Sequence, residues 1–183
     1  LRRGHTRSHS ELGSQALQRR WYFVLRHGRG GHCQAIKILM KNYIIVTGGA
    51  GFIGSNLIEF LIKKTKKNII SLDDYSTGLK KNHIKNSRVK YLKGKTANIN
   101  KTLFIYRKRI HSIFHFGEFA RIYQSFKKFD ECFDSNSIGS KAVFKFCLDN
   151  KIKLIYSATS ASLGNKGVDK NLSPYAFTKA KNL

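Results

Sequence analysis

The sequence predicts an open α/β fold: a parallel sheet with helices on both faces. Two observations carry this. From residue 40 onward, short β-branched apolar runs alternate with longer amphipathic segments. Strands that alternate with helices pair in parallel through βαβ crossovers. The first apolar run also ends in a glycine-rich turn that opens straight onto a helical segment.

Each element has a local reason. Tyr43-Ile44-Ile45-Val46 is apolar and β-branched and stops at Thr47-Gly48-Gly49, which reads as a buried strand. Phe52 to Lys64 carries Ile53, Leu57, Ile58, Phe60, Leu61 and Ile62 with Ser55, Asn56 and Glu59 between them, a helix with one broad buried face. Asn68 to Leu72 is a second strand, closed by Asp73-Asp74, and Val89 to Leu92 a short third. Ser112 to Phe116 is the fourth strand, a helix covers about Ser137 to Asn150, and Lys153 to Ser157 is the fifth strand.

The chain has two compositions. Residues 1–39 hold seven Arg and one Lys, whereas residues 40–183 hold four Arg and 23 Lys. All twelve Asn lie after Met40, the only methionine. Lys, Asn and Ile typify AT-rich coding sequence; Arg, Gly and His typify GC-rich sequence. Residues 1–39 are therefore expected to be extraneous or disordered, with Met40 as the natural start and residues 40–183 as the domain. The competing reading is a targeting peptide, since the segment is rich in Arg and poor in acid.

A net charge of +25 invites a nucleic-acid partner. The lysines are scattered, however, and pairs such as Lys63-Lys64 fall where a helix ends and its dipole favours cations. A solvated basic surface is the preferred reading, and nucleic acid is not the expected partner. No apolar run reaches the ~20 residues of a membrane-spanning helix, so no membrane partner is expected. Cys33, Cys132 and Cys147 are odd in number and widely spaced, which argues against a disulfide framework or a cysteine metal site and for reduced thiols in the cytoplasm.

Gly48, Gly51 and Gly54 form Gly-x-x-Gly-x-x-Gly between a strand and a helix. Glycine there permits a tight turn, close approach to a pyrophosphate and packing of helix on strand. The helix start, at Phe52 and Ile53, offers N–H groups and a positive dipole to phosphate. Asp73 follows Gly54 by 19 residues, close to the ~20 expected of a ribose-binding acid. A carboxylate there accepts from ribose hydroxyls and repels a 2′-phosphate, which favours NAD over NADP. Asp74 is the second acid at this strand end.

Tyr175 and Lys179 are four apart and share one helical face. A free tyrosine has a pKa of about 10, and a neighbouring ammonium favours its phenolate. Tyr175 is thus a candidate general acid/base. Ser157-Ala158-Thr159-Ser160 places hydroxyls at the carboxyl end of the fifth strand, where open α/β sheets bind ligands.

Together, Thr47 to Gly54, Leu72 to Gly78, His115-Phe116-Gly117, Asn136 to Ser140, Tyr156 to Gly164, Ser173-Pro174-Tyr175 and Lys179 resemble the extended short-chain dehydrogenase/reductase family, in particular its NAD-dependent epimerase/dehydratase members of the UDP-glucose 4-epimerase kind. The resemblance spans residues 40–183. It implies a Rossmann-type doubly wound parallel sheet, truncated before the last strands and the C-terminal substrate domain. The implied chemistry is hydride removal and return at a carbon of a nucleotide sugar, a UDP-sugar foremost. Thr159 matches the Ser/Thr that bonds the reacting hydroxyl, Tyr175 takes its proton, and Lys179 holds the nicotinamide ribose. The complete protein is expected to form a homodimer, and this chain alone to be an inactive fragment.

Departures from the family pattern qualify this reading. Lys95 stands where an Asp near the adenine is frequent, and Leu163 where a Tyr is common. Glu118 stands where small residues lie beside the nicotinamide. With Arg121 and Tyr123 it contacts substrate, or with Arg121 alone it forms a surface pair; Asn136 contacts substrate or packs. Ser160 and Ala161 stand where 4,6-dehydratases carry an Asp-Glu pair, which ranks dehydratase below epimerase or a simple oxidoreductase; dehydratase and oxidoreductase chemistry of the same family are the alternatives to epimerase. The reading from another class is a basic module that binds nucleic acid or a partner on a dinucleotide fold.

Overall fold

A computed structural model describes residues 40–160, 168 and 171–182. The expectations for residues 1–39 and for Ala161, Leu163 and Gly164 lie outside them. Five strands form one sheet: β1 (Tyr43–Thr47), β2 (Asn68–Asp73), β3 (Val89–Lys93), β4 (Ile110–His115) and β5 (Lys153–Tyr156). Their order is β3-β2-β1-β4-β5, and every pairing is parallel. The chain winds outward from β1 through β2 to β3, then returns to β4 on the other side of β1. The topological switch point therefore lies between β1 and β4, where such sheets open a crevice at their carboxyl ends.

Strand alternation divides the core in two. Ile45, Ile70, Leu72 and Ile113 face one side and pack with Ile99, Leu103, Val143 and Phe146. Ile44, Val46 and Ile69 face the other and pack with Ile58 and Leu61 of helix α1 (Phe52–Lys64). The buried face of α1 is narrower than the sequence suggested: Gly54, Ile58 and Leu61 are buried, but Phe60 and Ile53 are 55% and 63% exposed. The glycine turn sets the helix phase so that Gly54 meets the Gly48–Gly49 backbone, which points Ile53 outward.

The helix expected over residues 137–150 begins earlier. Helices α2 (Ile99–Leu103) and α3 (Ile122–Lys127) precede it, and α4 (Phe129–Phe133) runs through a π-helical turn at Asp134–Gly139 into α5 (Ser140–Asp149). Gly139 lies against Thr96, whose hydroxyl would sit 2.3 Å from an added Cβ. The close approach of these segments thus needs glycine. Cys132 and Cys147 are buried free thiols, and burial pushes Cys147 up to about 11, so it packs as an apolar group. Helix α6 (Pro174–Ala180) closes the described chain.

Candidate active site

At the switch point two loops cross at contact distance. Gly48 has φ +72°, and a Cβ on it would lie 2.8 Å from the Phe116 carbonyl carbon. A Cβ on Gly54 would lie 2.2 Å from the Gly48 carbonyl oxygen, so the turn and the first turn of α1 also interlock. Gly51 caps α1 without a side-chain hydrogen bond, and no acidic residue stands in the first turn. The opening N–H groups of a helix have no intrahelical acceptor, so this end is built to receive an anion. Phe52, 83% exposed, and Ile53 carry two of these N–H groups.

Asp73 ends β2 buried beside this turn. Its Oδ2 accepts the Ala50 N–H at 2.9 Å and its Oδ1 accepts the Tyr75 N–H at 2.8 Å. A carboxylate offers about four lone-pair sites, so each oxygen retains one for a ribose hydroxyl. Asp74 is exposed and turns its carboxylate to the Ser76 N–H at 2.9 Å. Two residues with no role assigned from sequence complete this end. Asn82 donates to the Ala50 carbonyl at 2.7 Å, and Gly78 lies so close that an added Cβ would be 2.8 Å from Asp73 Oδ1. Lys95 is exposed nearby, at the start of a tight turn over Thr96–Asn98. The uncapped helix end and the half-used Asp73 carboxylate together fit the pyrophosphate and adenosine ribose of a dinucleotide.

On the other side of the crevice, α6 is fixed by its first residues. Ser173 is the N-cap, accepting the Ala176 N–H at 3.0 Å, and Pro174 occupies the first helical position. The Tyr175 N–H donates to the buried Ser125 hydroxyl at 3.3 Å. Tyr175 is half-buried, and half-buried Thr159 lies three residues past β5. One turn beyond Tyr175, Lys179 reaches the carboxyl end of β5. Its ammonium donates to the Ser157 carbonyl at 2.5 Å, to the Tyr156 hydroxyl at 3.0 Å and to Glu118 Oε2. The Lys179 and Glu118 side chains are only 4% and 3% exposed.

This differs from both readings of Glu118. Arg121 is exposed at the start of α3, and the partner of Glu118 is Lys179. Glu118 Oε1 also accepts from the Ser140 hydroxyl at 2.6 Å, the Tyr156 hydroxyl at 3.1 Å and Asn182 at 3.4 Å. Burial and this carboxylate hold the Tyr156 phenol above its ordinary range. Asn136 is fully buried. Its Oδ1 accepts the Phe119 N–H at 2.7 Å, and its Nδ2 donates to the Phe119 carbonyl at 3.1 Å and to Thr178 at 3.2 Å. That side chain joins the loop after β4 to α6, which is the packing reading.

A buried chain of hydrogen bonds runs from the glycine turn to this pair. Thr47 Oγ1 accepts the Phe116 and Gly117 N–H groups, so its own proton goes to His115 Nδ1, 2.7 Å away. Ser140 gives its proton to Glu118, so it accepts from His115 Nε2 at 3.0 Å. His115 is thereby the neutral Nε2–H tautomer. Burial, with the Lys179 charge added, lowers its pKa to about 3.

Comparison with known proteins agrees with this geometry. The description "NAD dependent epimerase/dehydratase family" matches residues 44–182. The chain is 30% identical to ADP-L-glycero-D-manno-heptose-6-epimerase of Brachyspira hyodysenteriae, over 74% of this chain and 45% of that protein. It is 27% identical to UDP-glucose 4-epimerase of Streptococcus mutans, over 66% of this chain and 37% of that protein. The crystal structure of UDP-glucose 4-epimerase from Thermotoga maritima, solved with UDP-glucose, superposes with a TM-score of 0.66 at 25% identity, covering 76% of this chain and 48% of that one. The chain thus spans less than half the length of these relatives. With a dinucleotide crevice at the switch point and the family description matching nearly all the described residues, this chain belongs to the NAD-dependent epimerase/dehydratase family.

Proposed function

We propose that this chain is the NAD-binding and proton-transfer half of a nucleotide-sugar epimerase acting on a UDP-sugar. The observation that carries the reading is that the loop after β4 touches both groups: Gly117 lies against Gly48 of the Asp73-anchored glycine turn, and the next residue, Glu118, pairs with Lys179 of helix α6. Bound NAD supplies a hydride acceptor. The chain's own residues do the rest. The N–H groups of Phe52 and Ile53 face the pyrophosphate, and Asp73 accepts from the adenosine ribose. Thr159 orients the reacting sugar hydroxyl, and Tyr175 takes its proton and later returns it. Lys179 donates to the nicotinamide ribose.

Positioning supplies much of such a rate, and proton transfer needs heavy atoms within ~3 Å. The chain's relatives are more than twice as long as the part it matches, so the sugar nucleotide is proposed to be held by residues beyond this chain's match. Accordingly, the 183-residue chain is expected to bind NAD without turning over UDP-sugars. Titration calorimetry with NAD tests the reading. Saturable binding that Asp73→Asn weakens supports it; absence of binding refutes it.

A further inference from the structure

We propose that Glu118 is a lock on Lys179, a positioning residue that sets how strongly this chain grips the nicotinamide-side half of NAD. The proposal rests on the reading above, in which Lys179 serves the nicotinamide ribose. An ammonium has three protons. All three are engaged by protein: one by the Ser157 carbonyl, one by the Tyr156 hydroxyl and one by the Glu118 carboxylate. A ribose hydroxyl that accepts from Lys179 must therefore replace one of these acceptors.

The three acceptors are not equivalent. The Ser157 carbonyl is backbone at the exit of β5, and the Ser157 side chain is tied to the His115 carbonyl at 3.2 Å. Tyr156 is neutral and already donates to Glu118. Glu118 is the charged acceptor, and charge-assisted hydrogen bonds are roughly twice as strong as neutral ones. Its carboxylate is in turn fixed by Ser140, Tyr156 and Asn182. Ser140 is fixed by His115, and His115 by Thr47 on β1. The lock is thus braced through the sheet rather than hanging on one flexible side chain. Both members are almost without solvent contact, so water does not screen the pair. A small residue at position 118 leaves one ammonium proton available; Glu118 occupies it.

Paired nucleotides give a test that separates this role from a structural one. ADP carries the adenosine and pyrophosphate but lacks the second ribose; NAD has both. The dissociation constants of ADP and NAD are measured by calorimetry for the unmutated chain and for Glu118→Gln and Glu118→Ala. The lock predicts that the ratio of ADP to NAD dissociation constants rises about tenfold in Glu118→Ala, the scale of one hydrogen bond to a charged group, and by less in Glu118→Gln, whose amide oxygen still accepts, while ADP affinity stays put. A merely structural role moves both nucleotides together.

Removing one member of a buried ion pair is destabilising, so these variants are open to misfolding. Ser140→Ala is the second arm. It keeps both charges and removes one brace on the carboxylate, so the ratio rises in the same direction by about twofold, a fraction of the effect of removing the charged acceptor itself. An unchanged or lowered ratio with ADP binding retained, in Ser140→Ala or in a folded Glu118 variant, overturns the lock alone. If the unmutated chain binds neither ADP nor NAD, the cofactor reading falls and the lock falls with it.

Discussion

Asp73 shows what one residue can reveal of itself in sequence. Its spacing from Gly54 and its place at a strand end are local facts, and both carboxylate oxygens do lie against the glycine turn and the loop that follows. Asp73→Asn replaces one acceptor by a donor that faces a backbone N–H. It is expected to weaken NAD binding about tenfold, on the scale of one hydrogen bond to a charged group, and to narrow the gap to NADP; parallel titrations with both cofactors read this. Equal affinities in the unmutated chain would contradict the assignment. Glu118 shows the opposite case. Its partner Lys179 lies 61 positions away, and no periodicity links them. His115 was legible only as a motif residue, yet its burial gives a measurable consequence. Its pKa is about 3 in the fold and about 6.5 unfolded. Between those values the unfolded chain binds the extra proton, so stability is lost as pH falls from about 6.5 toward 3. Urea midpoints at pH 7 and pH 5 should differ by less in His115→Gln than in the unmutated chain; an equal difference rules this contribution out.

Among the elements, those specified by local chemistry were legible. Helix α1 spans the residues its apolar spacing indicated, Phe52–Lys64, and β1 to β5 fall within two residues of their expected bounds. The segment Asp134–Gly139 was legible only at its C-terminal end. Asp-Ser-Asn-Ser is poor in helix formers, and the π-helical turn is held by tertiary contacts: Asn136 on the Phe119 backbone and Gly139 against Thr96. Helix α6 combines both kinds of signal. Ser173 and Pro174 announce its start, while its orientation depends on Asn136 meeting Thr178. Ser173→Ala removes the N-cap and should cost about 1 kcal/mol. Urea melts read that loss. Because α6 carries Tyr175 and Lys179, the same change should also weaken NAD binding while leaving ADP binding unaltered, which a second titration reads.

At the scale of the molecule, charge and fold point in different directions. The net charge of +25 suggests a polyanion partner, but the fold gathers its polar machinery in a crevice and leaves ion pairs such as Lys63–Glu59 on the surface. Among the described residues, no helix is long and apolar enough to cross a membrane. The crevice gives the decisive experiment. Tyr175 on α6 and Thr159 after β5 are proposed to border it, but proton transfer also requires a sugar held at ~3 Å. Joined to the C-terminal half of a UDP-glucose 4-epimerase, the chain is expected to interconvert UDP-glucose and UDP-galactose. In that fusion, Tyr175→Phe keeps the ring that packs and removes the hydroxyl that carries the proton. Turnover should fall by at least the ~10² that general acid–base catalysis contributes, with NAD affinity changed less than about twofold, since Tyr175 is proposed to touch the sugar and Lys179 the cofactor. A coupled spectrophotometric assay reads turnover and calorimetry reads the cofactor. Full turnover by the Tyr175→Phe fusion would remove Tyr175 from the mechanism. Efficient turnover by the unfused 183-residue chain would show instead that the sugar site is complete without the added half.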